Sequence, residues 1–188
     1  VMRLVWIGLL IVMSSGMAGC RPAESRAGAE GLAVVATTTI VGDVVGQVGG
    51  DLIDLVVLMK AAQGPHTYIA TPADVAAVHD AQAVFVNGVG LEEFLEEMLV
   101  NAGGDARIVY VSDGLHLRQM EDHAHAHAEE EDGADEQEHE ESAPDPHVWL
   151  DPTNVAQWAM RIAETLGELD AGNAETYKSN ATAYIRQL

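Results

Sequence analysis

Two histidines, His66 and His147, stand in matching local contexts. The first lies in GPHTY at 64–68 and the second in DPHVW at 145–149, so each follows a proline and precedes an aromatic residue two positions on. Proline fixes φ in the backbone just before each histidine, which holds the imidazole at the tip of a loop. A rigidly held imidazole suits a metal ligand. Both residues are therefore candidate ligands of a divalent metal ion, the alternative being a structural histidine.

Four further histidines lie in an acidic segment at 119–145, which reads QMEDHAHAHAEEEDGADEQEHEESAPD. The segment holds twelve Asp and Glu and neither Lys nor Arg, and it lacks the apolar surface needed to offset the entropy of ordering a chain. We expect a disordered loop that collects zinc or copper through its imidazoles, or else a solvated acidic insert. The histidines concerned are His123, His125, His127 and His139. We expect His79 and His116 to be ordinary surface or structural residues.

The charge of the chain argues against several classes of partner. The 188 residues carry 30 Asp and Glu against 9 Lys and Arg, a formal net charge of −21. Binding nucleic acid requires a basic face that neutralises phosphates, and electrostatic docking on anionic lipid requires the same. No nucleic-acid partner is therefore expected, whereas abundant acids and imidazoles favour divalent cations.

The first residues have the pattern of an export signal. A positive charge precedes a short apolar run, Leu4–Met13, and small residues follow it up to Cys20, which is typical of a secretory signal peptide. Met-Ala-Gly before Cys20 resembles the bacterial lipobox. That resemblance implies a signal peptide at 1–19, lipidation of Cys20 and a polar tether at 20–31. We expect an exported protein anchored by lipid in the cell envelope, the alternative being a secreted protein with an incidental cysteine.

The body of the protein alternates strands and helices. Short β-branched runs predict strands, and two helices begin with a capping residue followed by proline, at Thr71 and Asp151. This alternation indicates an α/β fold, a parallel sheet flanked by helices. We assign 32–170 to one α/β metal-binding lobe that includes the acidic loop. The predicted strands are 32–40, 51–59, 83–87 and 107–112, and the predicted helices are 41–48, 71–80, 91–101, 151–169 and 173–188.

The segment NGVGLEE at 87–93 follows a predicted strand and opens a helix, as a dinucleotide-binding loop does. Its spacing is G-x-G-x-x-E, with Glu93 where the fingerprint has its third glycine. Two acids at the start of a helix would repel a pyrophosphate, which needs positive potential there. We interpret the segment as a tight turn leading into a capped helix.

Four motifs occur in the order found in one family. They are GPHTY at 64–68, TPADV at 71–75, NGVGLE at 87–92 and DPHVWLDP at 145–152, followed by a tail with Asp170, Asn173, Tyr177, Asn180 and Tyr184. Together they resemble the zinc- and manganese-binding lipoproteins of ABC importers, the ZnuA/TroA-like solute-binding proteins. Gly64 stands where the family usually has Asp, and Ile69 and Ala70 follow Tyr68 where it usually has an acidic residue.

The resemblance implies two α/β lobes joined by one long helix, with the metal bound in the cleft between the lobes. His66 and His147 match the two histidine ligands of the N-terminal lobe. Residues 171–188 match the start of the linking helix, so we expect the chain to stop before the C-terminal lobe, which holds the family's remaining ligands. The implied partners are the membrane permease of an ABC importer and its ATPase.

The predicted function is the capture of Zn²⁺ outside the cytoplasm and its delivery to that permease. Imidazole ligands favour zinc over the harder manganese ion, and in the family a His-rich acidic loop marks zinc carriers; Mn²⁺ is the alternative. We do not expect an enzyme. An exported zinc hydrolase would need a ligand set such as H-E-x-x-H, and HEESA at 139–143 lacks the second histidine. An adhesin is the remaining alternative.

Overall fold

A four-stranded parallel sheet forms the centre of the fold. The computed structural model describes residues 31–61, 63–64, 68–119 and 143–188. The strands are β1 Leu32–Ala36, β2 Ile53–Val57, β3 Ala83–Val86 and β4 Arg107–Tyr110. Their order in the sheet is β2-β1-β3-β4, and every neighbouring pair is parallel. The predicted α/β class is confirmed.

Helices connect and follow the strands. In the described part of the chain they are α1 Thr39–Gly49, α2 Pro72–Asp80, α3 Glu93–Asn101, α4 Pro152–Leu169 and α5 Ala174–Ile185. The start signals of α2 and α4 are confirmed. The Thr71 hydroxyl accepts from the N–H of Asp74 in a capping box, and the Asp151 carboxylate accepts from the N–H of Thr153. None of these helices has both the length and the apolar character needed to cross a membrane.

Two apolar cores cover the two faces of the sheet. Successive residues of a strand point to opposite faces, so Val34 belongs to one core and Val35 to the other. The larger core packs α1, α4 and α5 against the first face and contains Trp158 and Tyr177, both fully buried. The smaller core packs α2 and α3 against the second face. Because both faces are covered, the strands are apolar almost throughout.

Several elements are shorter than predicted. β1 ends at Ala36 rather than at residue 40, because Thr38 is needed as the cap of α1: its hydroxyl accepts from the N–H of Val41 at 3.1 Å. Residues 50–52 form a turn of 3-10 helix, so β2 begins at Ile53 rather than at 51. At the other end of the chain, α5 ends at Ile185.

The two ends of the acidic segment differ from the prediction. We expected disorder over 119–145, but both ends of that range are ordered. Gln119 and Pro144 form an antiparallel bridge, and the N–H of Asp145 donates to the carbonyl of Arg118 at 2.8 Å. Backbone pairing therefore closes the base of the segment, and 120–142 lie outside the described residues.

The last helix packs within this lobe. Tyr177 is fully buried in the larger core, and its hydroxyl donates to Asp170 at 2.9 Å. The Asn180 amide donates to the carbonyl of Val48, at the end of α1, at 2.9 Å. α5 thus belongs to the core of the lobe, and the assignment of 171–188 to the start of a linking helix stays a prediction.

Candidate metal centre

His147, the predicted cleft ligand that the structure describes, lies near the carboxyl ends of the strands, where Asn87 after β3 donates to the carbonyl of Pro146. In open α/β sheets ligands bind at this edge, where the strand order reverses. In the order β2-β1-β3-β4 the reversal lies between β1 and β3. Thr37 directly follows β1 and Asn87 directly follows β3, and both are fully buried. The geometry of the sheet therefore places the candidate site beside these two residues.

His147 is oriented by Asp145. The Oδ1 atom of Asp145 accepts from the backbone N–H of His147 at 2.9 Å and lies 2.7 Å from its Nδ1. A carboxylate can only accept, so Nδ1 carries a proton, and in the neutral ring Nε2 keeps its lone pair. The backbone and ring hydrogen bonds from His147 hold the pKa of Asp145 below its ordinary 3.8. The His147 side chain is 53% exposed, and Trp149 packs on the ring in a T-shaped contact. In many metal sites the histidine ligand donates its other ring N–H to a carboxylate in this way.

The backbone on both sides of His147 is also fixed. The Asn87 amide donates to the carbonyl of Pro146 at 3.2 Å, and the Asn154 amide donates to the carbonyl of Val148 at 3.0 Å. One of these anchors comes from the end of β3 and the other from the first turn of α4. The ligand loop is therefore tied to two elements that the cores hold in place.

Glu92 is a buried acid whose role the sequence reasoning missed. It is 3% exposed, and its carboxylate accepts from the Thr37 hydroxyl at 2.7 Å and from the N–H groups of Asn87 and Gly88 at 2.7 and 3.0 Å. Burial raises the pKa of Glu92, and these hydrogen bonds oppose the rise. The 87–93 segment is the expected tight turn, but its N-cap residue, Glu92, makes no side-chain capping bond to the helix that follows. The N–H groups of Asn87 and Gly88 donate to the Glu92 carboxylate and are not open to a phosphate.

The first histidine motif is anchored at its far end. The Tyr68 hydroxyl interacts with the carboxylate of Asp74, which also accepts from the N–H and the hydroxyl of Thr71, both at 2.8 Å. Burial, reinforced by Asp74, raises the pKa of the Tyr68 phenol. Ile69 and Ala70 follow Tyr68 in the sequence, so the carboxylate that contacts Tyr68 comes from Asp74, in the first turn of α2.

A small cavity of about 140 Å³ lies beside His147. Its walls include Asp151 and Asn154 from the start of α4, and His116, which we expected to be an ordinary surface residue. His79 lies elsewhere, with Nδ1 3.2 Å from the carbonyl oxygen of Ala102, in agreement with a structural role.

The other predicted ligands lie outside the described residues. They are His66, the loop histidines His123, His125, His127 and His139, and the lipidation site Cys20. Within 31–61, 63–64, 68–119 and 143–188, no three His, Cys, Asp or Glu side chains are grouped as a metal ion requires. Of the predicted cleft ligands, the described part of the chain thus includes His147, with Asp145 as its partner.

The family model described as zinc-uptake complex component A, periplasmic (ZnuA), matches residues 34–188. The chain belongs to this family. The match covers all four strands except the first two residues of β1, and it includes the segments that carry both histidine motifs.

Curated relatives are metal-binding lipoproteins. The manganese-binding lipoprotein MntA of Halalkalibacterium halodurans is 32% identical over 182 residues, which cover 96% of this chain and 54% of MntA. The metal ABC transporter substrate-binding lipoprotein ScbA of Streptococcus cristatus is 33% identical, covering 96% and 56%. The iron ABC transporter substrate-binding lipoprotein MtsA of Streptococcus pyogenes is 31% identical, covering 97% and 55%. The chain spans about half the length of these relatives.

Solved structures share the fold. The Mn-bound periplasmic metal-binding protein of Candidatus Liberibacter asiaticus superposes with a TM-score of 0.69 at 27% identity, over 82% of this chain and 52% of that one. A crystal structure of ZnuA gives the same TM-score and identity over 84% and 55%.

Proposed function

We propose that the protein is the solute-binding component of an ABC importer, that its cargo is Zn²⁺, and that it hands the ion to a membrane permease powered by an ATPase. The observation that carries this proposal is the His147 ring. Asp145 takes its Nδ1 side, which leaves Nε2 as the metal-binding nitrogen. Membership of the ZnuA family and the transport names of the relatives support the same function.

His66 is proposed as the second imidazole ligand from this lobe. Its motif begins soon after β2, whose carboxyl end lies at the same edge of the sheet as the residues that hold His147. The described end of that motif is anchored through Tyr68 and Asp74. The remaining ligands are proposed to come from a second lobe, in line with a chain that spans half of its relatives.

Zinc is preferred over manganese on chemical grounds. Two neutral imidazoles suit zinc better than the harder manganese ion, which favours carboxylate and water oxygens. The histidines of the acidic segment, His123, His125, His127 and His139, are proposed as weaker, auxiliary zinc ligands. Mn²⁺ is the second candidate, because relatives named for manganese match this chain about as well as the others.

The protein is proposed to act outside the cytoplasm, held by lipid on Cys20. The Met-Ala-Gly-Cys sequence at 17–20 and the lipoprotein names of the relatives support the anchor. Intact mass and membrane fractionation of the exported protein test it: Cys20→Ala should abolish the lipid mass and release or block the chain, and an unchanged mass and location would contradict it.

The metal assignment is tested on the 188-residue chain by ¹⁵N NMR of the histidine rings. Free Zn²⁺ is set by a chelator buffer, so binding by other histidines does not change the free concentration. We expect the Nε2 signal of His147 to move to a metal-bound value while Nδ1 keeps its proton, and His79 serves as the unmoved control. The proposal would be contradicted if the His147 ring signals did not change with zinc, or changed only at the free zinc concentration that also changes His79. With buffered Mn²⁺, which is paramagnetic, binding is read as broadening of the His147 ring signals, and the free concentrations required rank the two metals.

A further inference from the structure

Among the acids that the structure describes, Glu92 is the buried one. Burying a carboxylate is unfavourable unless hydrogen bonds replace the lost water. Here the three donors that face it are neutral: the Thr37 hydroxyl and the N–H groups of Asn87 and Gly88. These donors lie at the ends of β1 and β3, so one carboxylate joins the two strands that flank the candidate site.

The loop held by Glu92 is strained. Gly88, Val89 and Gly90 have φ values of +84°, +57° and +75° in succession. Glycine adopts this region freely, but a β-branched residue such as Val89 does so only under strain. Such a conformation persists only where its surroundings fix it. The two hydrogen bonds from Asn87 and Gly88 to Glu92 lie at the entrance to this turn and fix it.

The same loop reaches the candidate ligand. The side-chain amide of Asn87 donates to the carbonyl of Gly88 at 2.8 Å and to the carbonyl of Pro146 at 3.2 Å. Pro146 directly precedes His147. A continuous chain of contacts therefore runs from Glu92 through the backbone and side chain of Asn87 to the peptide that carries the His147 ring.

We propose that Glu92 and Asn87 are positioning residues for His147, which set where its ring stands without binding the metal themselves. This proposal rests on the function proposed above, in which His147 binds zinc. Asp145 selects the nitrogen that faces the metal, whereas Glu92 and Asn87 set the location of the loop. Partners behind metal ligands typically change metal affinity by about tenfold to a hundredfold when they are removed, and ligand geometry must be held within about 0.5 Å.

Two variants of the 188-residue chain separate positioning from folding. Glu92→Gln keeps the shape of the side chain but turns one acceptor oxygen into an amide that opposes an N–H donor. Asn87→Ala removes the donor to Pro146 and leaves the backbone N–H groups that face Glu92. Asp170→Asn is the control: it removes a carboxylate that accepts from Asn173 and Tyr177 at the α4–α5 junction, outside the walls of the His147 cavity.

The readouts are the free Zn²⁺ concentration at which the His147 ring responds and the thermal stability of the metal-free protein. We expect Glu92→Gln and Asn87→Ala to require about tenfold to a hundredfold more free zinc, and Asp170→Asn to lose stability with the zinc response of the parent. If both site variants fold and respond at the parental zinc concentration, the positioning role is wrong while the proposed function stands. The same holds if Asp170→Asn weakens the zinc response equally.

Two further outcomes are also decisive. If Glu92→Gln fails to fold, Asn87→Ala alone decides between the two results, because all three donors to Glu92 remain in that variant. If the parent protein shows no response of His147 to zinc, the proposed function fails, and the positioning role fails with it.

Discussion

At the scale of single residues, the Asp145 carboxylate determines which nitrogen of His147 is available. Both contacts from His147 to Asp145 Oδ1 are short, 2.9 Å from the backbone and 2.7 Å from the ring. The first fixes the carboxylate relative to the peptide, and the second then fixes the ring relative to the carboxylate. A metal ion approaching from solvent therefore meets a ring whose free nitrogen and orientation are already set.

Asp145→Asn is expected to lower zinc affinity at His147 by about tenfold to a hundredfold. An amide can still accept from Nδ1, but it is neutral, and by rotating it can donate to the ring and favour the wrong tautomer. The free zinc concentration at half-response of His147 measures the effect. Asp113→Asn is the matched control, because Asp113 is exposed and lies 3.9 Å from Arg161. Equal affinity in the Asp145 variant and the parent would contradict the orienting role.

At the scale of elements, the α4–α5 junction depends on one carboxylate. Asp170 is the C-cap residue of α4, and its carboxylate accepts from the Asn173 amide at 2.7 Å and from the Tyr177 hydroxyl at 2.9 Å. These hydrogen bonds hold the pKa of Asp170 below its ordinary 3.8. Burial, reinforced by Asp170, raises the pKa of Tyr177 to about 12. The junction holds α5 in the larger core, in contact with α1.

The stabilising effect of Asp170 is expected to depend on pH. A carboxyl group whose pKa is lowered by folding stabilises the folded state above its unfolded pKa, and this stability is lost as pH falls through the lower, folded pKa. Urea unfolding of the parent and of Asp170→Asn should therefore differ at neutral pH. The difference should shrink once the pH falls below 3.8. A difference that persists unchanged in acid would show that Asp170 acts without its charge.

The elements that could be predicted are those with local signals. Thr71-Pro72 and Asp151-Pro152 place the cap and the proline side by side, and α2 and α4 begin where these signals stand. The end of β1 could not be predicted, because six of the nine residues from 32 to 40 are β-branched and only the three-dimensional cap at Thr38 divides the run.

In the candidate site too, only the residues with a local sequence signal could be predicted. Pro-His spacing marks His147 in the sequence, and the Asp145 that orients it lies two residues away. Glu92 gave no such signal, because its Thr37 partner is 55 residues distant and only the β1–β3 pairing brings the two together. An acid next to the start of a helix looks like a surface residue until its burial is known.

At the scale of the whole molecule, the acidic segment is an insertion closed at its base. Gln119 pairs with Pro144, and Arg118 accepts from Asp145, next to the candidate ligand. A segment whose two ends are paired with each other can be shortened without moving the elements on either side. The proposed auxiliary zinc ligands can therefore be removed separately from the proposed central site.

Replacing 120–142 by Asn-Gly is expected to leave the thermal stability of the metal-free protein unchanged. A short turn suits the paired ends, because Asn-Gly readily adopts the φ values that tight hairpins require. The same variant should lose the weaker zinc equivalents in a calorimetric titration and keep the response of His147. A large fall in stability would indicate that the segment contributes to the core, and unchanged zinc stoichiometry would contradict its role as a collector.

The central claim is that His66, in the segment after β2, and His147, in the loop before α4, bind a single zinc ion. The most direct test follows the His147 ring by NMR in His66→Ala, with His79→Ala as the control. Because zinc loses a direct bond, we expect His66→Ala to raise the free zinc needed by His147 by about a hundredfold or more, and His79→Ala to leave it unchanged. A His147 response that is the same with and without the His66 imidazole would contradict the account.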